Sequence, residues 1–235
     1  MRRHAGILIP GFIMTCVMAG SVAAETGYYG GIRLGSSSME QSGIEAVNPR
    51  VTGISGGKNK DSASTFGLAV GRKFENAPVR LDLEWTERGK ASLRVDTIGN
   101  SGGVFTGANK LSVKARSLML NGFWDVPVKS VSLFVSGGLG VSRISADGSQ
   151  TFQVPPFTAP PAFGTTFLLK SNTQLAWSVG AGASYPLGKT TAIDLAYRYI
   201  DLGKYSTGTD TVNRDERFGA RLRANEISLG LRFGF

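Results

Sequence analysis

Apolar side chains recur at every second position in eight stretches of this chain, and that spacing predicts eight β-strands. The last stretch, Asn225 to Phe235 (NEISLGLRFGF), shows it most fully. Ile227, Leu229, Leu231, Phe233 and Phe235 alternate with Ser228, Gly230, Arg232 and Gly234, while Glu226 reads as a break at the start. In a closed transmembrane barrel such an apolar face meets lipid, and about ten residues cross the bilayer. The pattern runs to the final residue, so this stretch is expected to be the closing strand.

The other seven are Tyr28–Ser37, Thr65–Phe74, Val79–Arg88, Val113–Asp125, Val131–Arg143, Gln174–Tyr185 and Thr191–Leu202. Leu81, Leu83 and Trp85 alternate with Arg80, Asp82 and Glu84, and Ile193, Leu195, Tyr197 and Tyr199 oppose Asp194, Ala196 and Arg198. Residues 75–78, 126–130 and 186–190 make short connections, whereas 38–64, 89–112, 144–173 and 203–224 read as long loops. Short turns at one end and long loops at the other are the asymmetry of an outer-membrane barrel, which a soluble sandwich has no reason to show. The expected fold is therefore all-β, an eight-stranded antiparallel transmembrane up-and-down barrel.

The start of the chain supports export. Arg2 and Arg3 precede a short apolar stretch from Ala5 to Val17, and Val22-Ala23-Ala24 offers small residues for cleavage before Glu25. This predicts a signal peptide over residues 1–24 and a barrel domain over 25–235, since the apolar stretch is too short and interrupted to span a bilayer as a helix. Thr15 before Cys16 is larger than a lipidation site favours. Cleavage would remove the single His4 and the single Cys16, and lower the formal charge from +9 to +7 with the loss of Arg2 and Arg3. A mature chain free of cysteine suits an oxidising compartment and a fold without disulfides.

Tyr28-Tyr29-Gly30-Gly31, Leu118-Met119-Leu120-Asn121, Gly137 to Val141, Tyr197-Arg198-Tyr199-Ile200-Asp201-Leu202-Gly203 and the terminal Phe form a set of short runs. Together they resemble the small outer-membrane barrel proteins of the opacity-protein and surface-antigen type, loosely called the porin family. The resemblance covers essentially the whole mature chain and implies an eight-stranded barrel in a Gram-negative outer membrane; the expected protein is a monomer inserted by the barrel-assembly machinery. It further implies that Ile227, Leu229, Leu231, Phe233 and Phe235 carry the assembly signal. It brings no catalytic residues and no cofactor. The stretch from Val154-Pro155-Pro156-Phe157 to Pro160-Pro161 departs from any family pattern, and no peptidoglycan-binding domain is expected after the barrel.

The residue inventory narrows the chemistry. Serine hydrolases and acyltransferases ordinarily need a histidine base, and zinc sites need His or Cys, so the mature chain is not expected to be an enzyme of these kinds. Asp82 and Glu84 could pair as catalytic carboxylates, but they stand among Arg33, Arg80, Arg88, Asp194, Arg198 and Arg232, all expected to face the lumen. A structural network of ion pairs is the better reading, because charges in an interior must be paired. Long side chains would then fill the lumen of an eight-stranded barrel. The alternative is a narrow path for ions or small solutes, with Gly67, Ala69, Gly138, Gly140, Gly180 and Gly182 leaving room.

Trp85, Trp124, Trp177, Tyr185, Tyr197 and Tyr199 are candidates for interfacial girdles. Exported barrels do not meet nucleic acid, so the positive balance points elsewhere. Lys58, Lys60, Lys90, Arg94, Lys110, Lys114, Arg116, Lys170, Arg214, Arg217, Arg221 and Arg223 fall at loops and strand tops. Either they touch lipopolysaccharide phosphates or they are solvated loop charges. The expected role is envelope integrity and surface interaction through the long loops, with the loop ligand unspecified.

Overall fold

The computed structural model of the protein describes residues 27–47, 51–75, 77–100, 104–153, 163–212 and 216–235. The expected signal peptide, the Val154 to Pro161 stretch and Arg214 lie outside the described residues.

Nine strands form among the described residues: β1 (Tyr28–Val47), β2 (Val51–Lys58), β3 (Lys60–Lys73), β4 (Val79–Asn100), β5 (Val104–Val128), β6 (Val131–Gln153), β7 (Phe163–Pro186), β8 (Thr191–Ser206) and β9 (Arg217–Gly234). β1 pairs with β3, each following strand pairs antiparallel with the next, and β9 returns to β1, from Tyr29↔Gly234 to Val47↔Arg217. The sheet is thus closed into a barrel. β2 pairs with β4 at Arg94–Gly99, in line with β3 at Arg80–Arg88, so β2 and β3 behave as one strand interrupted at Asn59. Eight strands therefore wall the barrel, and the closure removes the unpaired edges that an open sheet would leave.

Tight turns close one end. Lys129 and Ser130 join β5 to β6, with Lys129 at φ 55°, the left-handed conformation that two-residue hairpins require. At the other end the segments read as loops are largely strand. Residues 38–47, 51–58 and 60–64, 89–100 and 104–112, 144–153 and 163–173, and 203–206 and 217–224 all continue the wall. The alternation does not stop there; its polarity reverses.

That reversal divides the barrel into two halves. In the half bounded by the tight turns, Ile32, Leu34, Leu83, Leu120, Leu139, Leu195 and Leu229 point outward and are exposed, Leu139 by 71 %. A continuous apolar belt of this kind on a closed sheet is a lipid-facing surface. In the outer half the apolar residues turn inward. Met39, Leu93, Val95, Leu111, Val113, Ile144, Ile200, Leu202, Phe218 and Leu222 pack into one buried cluster, while Arg94, Lys110, Lys114 and Arg223 face out. On β4 a bulge between Arg88 and Ala91 makes the switch, so odd-numbered positions pass from outward to inward.

Candidate functional site

The lumen of the belt half is lined by charges in layers. Nearest the tight turns, Arg80 on β4 donates to Asp125 on β5 at 2.7 and 2.9 Å and lies over the rings of Phe123 and Phe134. Arg232 on β9 reaches Asp194 on β8 at 3.2 Å and Ser184 at 2.8 Å. One layer up, Arg33 on β1 donates to Asp82 at 2.8 Å and also to Glu84, and Asn121 donates to Asp82 at 2.8 Å. Arg198 then bridges Glu84 at 3.1 Å and Glu226 at 2.8 Å, and Arg88 donates to Glu226 at 2.5 Å and to Ser117 at 2.9 Å.

All eight lumen charges read from the sequence, Arg33, Arg80, Asp82, Glu84, Arg88, Asp194, Arg198 and Arg232, therefore belong to these two layers of ion pairs. The Phe123 ring joins the layers, since both Arg33 and Arg80 lie over it. Two members were missed. Asp125 holds Arg80, and Glu226 joins Arg88 to Arg198. Reading Glu226 as a break was wrong, because it occupies the lumen face in phase with Ser228, Gly230 and Arg232 and is buried. Its signal was the arginine excess: with Asp125 and Glu226 counted, five guanidiniums meet five carboxylates. A low-dielectric interior tolerates such a set only when it is paired in this way.

Four of the glycines expected to leave room, Gly138, Gly140, Gly180 and Gly182, have that space filled by neighbours, whereas Gly67 has only ordinary contacts. A Cβ on Gly138 would strike the Asn121 carboxamide, on Gly140 the Met119 backbone, and on Gly182 the Phe134 ring. Small residues there admit larger neighbours from across the sheet. A lumen cavity lined by Arg33, Glu84, Asn121, Phe123 and Arg198 holds about 30 Å³. That is room for about one water molecule.

Outside the barrel the six aromatic candidates fall into two groups. Trp85, Trp177, Tyr197 and Tyr199 stand toward the outer edge of the belt, with Trp177 and Tyr199 in ring contact at 5.6 Å. Trp124 and Tyr185 stand toward the turn end. Immediately beyond the outer aromatic row the wall becomes charged. Arg116 pairs with Glu87 at 2.9 Å, and Asp201 accepts from Arg221 at 2.7 Å and Arg223 at 3.4 Å. The Asp201 hydrogen bond holds the Arg221 guanidinium above its ordinary pKa. Inside that region, burial pushes the Tyr205 phenol up, and its hydroxyl donates to Gln41 at 2.8 Å.

The family described as outer membrane protein beta-barrel domain matches residues 8–235. The chain belongs to this family. Among its relatives, outer membrane protein PagN of Salmonella typhimurium is 27% identical over 204 residues, covering 82% of this chain and 78% of PagN. RC1281 of Rickettsia conorii, named as a candidate adhesin, is 25% identical over 155 residues, 61% of each chain. The crystal structure of Neisserial surface protein A has the same fold, with a TM-score of 0.54 at 16% identity over 89% of this chain and 98% of that one. This outer membrane protein beta-barrel accordingly resides in the outer membrane of Gram-negative bacteria. Its closing strand is β9, with Ile227, Leu229, Leu231, Phe233 and Phe235 on the lipid face and the Phe235 amide donating to the Tyr28 carbonyl at 3.0 Å.

Proposed function

We propose that this barrel is a surface-interaction protein: a monomer whose belt half is a sealed anchor and whose outer half displays a contact surface. One observation carries the reading. Beyond the lipid belt the eight-stranded wall continues, filled by an apolar cluster and charged on its outer face. Such a core makes the outer half a rigid platform rather than a set of mobile loops, and binding groups on a rigid scaffold lose less entropy on contact. The name of the Rickettsia relative, a candidate adhesin, agrees with attachment as the role.

Conduction and catalysis both fit less well. The narrow-channel alternative needs a continuous wet path, which ten paired charges and the apolar cluster beyond them oppose. Asp82 and Glu84, the one carboxylate pair considered for acid–base work, are occupied by Arg33, Arg198, Asn121 and Thr86. We further propose that the barrel-assembly machinery recognises the lipid face of β9, and that closure of the edges keeps the barrel monomeric.

The test is gain of attachment. The whole chain is displayed on a laboratory bacterium that does not adhere, alongside a variant in which residues 97–107 at the β4–β5 tip are replaced by a two-residue turn. The intact chain is expected to confer binding to cultured epithelial cells, and the shortened one to lose most of it while keeping heat-modifiable gel migration. Binding no better than that of the empty strain overturns the proposal.

A further inference from the structure

Above the Trp177↔Asp201 pair, β7 and β8 part company. A bulge between Asp201 and Gly203 turns the strand, and Gly203 sits at φ 92°, left-handed, so close to Gln174 that a Cβ could not be placed without displacing it. The chains meet again only where Gly208 donates to the Leu168 carbonyl at 2.8 Å, with Asn172 bridging to the Ser206 carbonyl at 2.9 Å between. The parted seam, with the outer faces of β9 and β1 beside it, makes a cleft of about 750 Å³. Small-molecule clefts run to roughly 300–1,000 Å³.

Its chemistry is one-sided. Lys170, Lys204, Arg217, Arg221 and Arg223 line it, against a single lining carboxylate, Glu45. Arg221 and Arg223 are committed to Asp201, but Lys170, Lys204 and Arg217 make no ion pair among the described residues. Its height matters as much as its charge. Arg223 pairs with Asp201, which in turn pairs with Trp177 of the outer aromatic row. Leu175, 83 % exposed, stands two residues beyond Trp177 on β7, next to the Gln174 that lines the cleft. A row of interfacial aromatics marks the headgroup level; Lys204 stands three residues beyond Asp201 on β8, Arg217 six beyond Arg223 on β9 and Lys170 seven beyond Trp177 on β7, all on the saccharide side of that level.

We propose that this cleft binds the phosphorylated saccharide headgroup of an outer-leaflet glycolipid, with Lys204, nearest the aromatic row, and Arg217 and Lys170 above it taking its phosphates. The site concentrates what a general scatter of surface cations would not: unpaired charge and a walled volume. Lys90, Lys110 and Lys114, on β4 and β5 at the opposite side of the barrel, lie outside this cleft.

The experiment uses the refolded full barrel in zwitterionic micelles. Retention of bisphosphorylated lipid A is measured by native mass spectrometry against the dephosphorylated lipid and against the acyl-free saccharide phosphate. The phosphorylated lipid is expected to bind best. The Lys170→Ala/Lys204→Ala/Arg217→Ala protein is expected to bind it about tenfold or more weakly, as loss of charged hydrogen bonds implies. A Lys90→Ala/Lys110→Ala/Lys114→Ala protein should match the wild type, and a single Lys204→Glu substitution gives the same direction if the triple variant refolds poorly. Equal retention of the dephosphorylated lipid overturns the proposal, as does equal loss in both triple variants. Acyl-free saccharide phosphate binding as tightly as the lipid overturns the lipid assignment in favour of a soluble phosphate.

Discussion

Glu226 shows how one residue ties distant strands together. From β9 it accepts Arg88 of β4 and Arg198 of β8 across the lumen. Replacing it with alanine leaves the buried Arg88 guanidinium without a carboxylate, while Arg198 keeps Glu84, a loss of about 3–5 kcal/mol for a broken buried pair. Unfolding in urea from detergent micelles, followed by tryptophan fluorescence, should show that loss for Glu226→Ala. Adding Arg88→Met should restore part of it, because an apolar replacement leaves one uncompensated charge fewer; a double variant less stable than the single would refute this view of the lumen. Phe235 acts at the opposite extreme, on the outside. Deleting it removes an exposed ring and the last hydrogen bond of the β1–β9 seam. The deletion should cut the heat-modifiable barrel recovered in the membrane fraction several-fold, and undiminished recovery would separate assembly from this terminus.

At the scale of the strand, the apolar phase decides which half of the barrel a residue belongs to. The belt half was legible because its outward residues, such as Leu81, Leu83 and Trp85, alternate with charges that have no other place to go. The outer half was legible in principle and was misread as loop. On β5 the apolar positions are odd at Leu111, Val113 and Ala115 and even at Leu118 and Leu120; on β6 they are odd at Leu139 and Val141 and even at Ile144 and Ala146. Such a phase slip means that the burying side has changed, from lipid outside to a protein core inside, with the strand continuing through it. On β4 the bulge hid even that sign, since odd positions carry the apolar residues on both sides of it. The charge partners of the lumen were legible as a set but not as pairs, because register across strands is a tertiary property. Leu93→Ala should cost the outer half about 2–5 kcal/mol, as a core truncation does. Protease nicking of residues 89–112 should rise in that variant while the belt half stays protected. The corner of β2 and β3 gives a pH prediction. Asp61 accepts from Lys58 at 2.6 Å and from the Ser92 amide at 2.7 Å, and the Lys58 contact holds its carboxyl below the ordinary carboxylate value. A depressed carboxyl contributes its stability above the unfolded-state pKa and loses it as pH falls through the folded one. The Ser92 amide shift should therefore stay constant from pH 7 to about 4, near the ordinary Asp value, and move only below it.

For the whole molecule the two halves act in series. On the proposed reading, an ion entering from the turn end would meet five arginines and five carboxylates already satisfied by each other, and then an apolar layer that includes Met119, Ile144, Leu202 and Leu222. Charge–charge gaps can rearrange around a passing ion, but an apolar layer cannot solvate one, and the cost of a bare charge there is many kcal/mol. The resistance of a path in series is set by its worst segment, so the apolar layer dominates. The refolded protein in planar bilayers should therefore give no reproducible conductance steps. Removing the pair at the top of the lumen, Arg88→Ala with Glu226→Ala, should leave it silent, since the apolar layer stands above the opening. Adding Met119→Ala and Ile144→Ser to that background removes bulk and introduces a hydroxyl at the junction of the halves, and brief openings should then appear. Steps in the wild-type protein would make the lumen a path after all, while steps in the charge-pair variant alone would place the seal in the ion pairs and leave the outer core with a purely structural role.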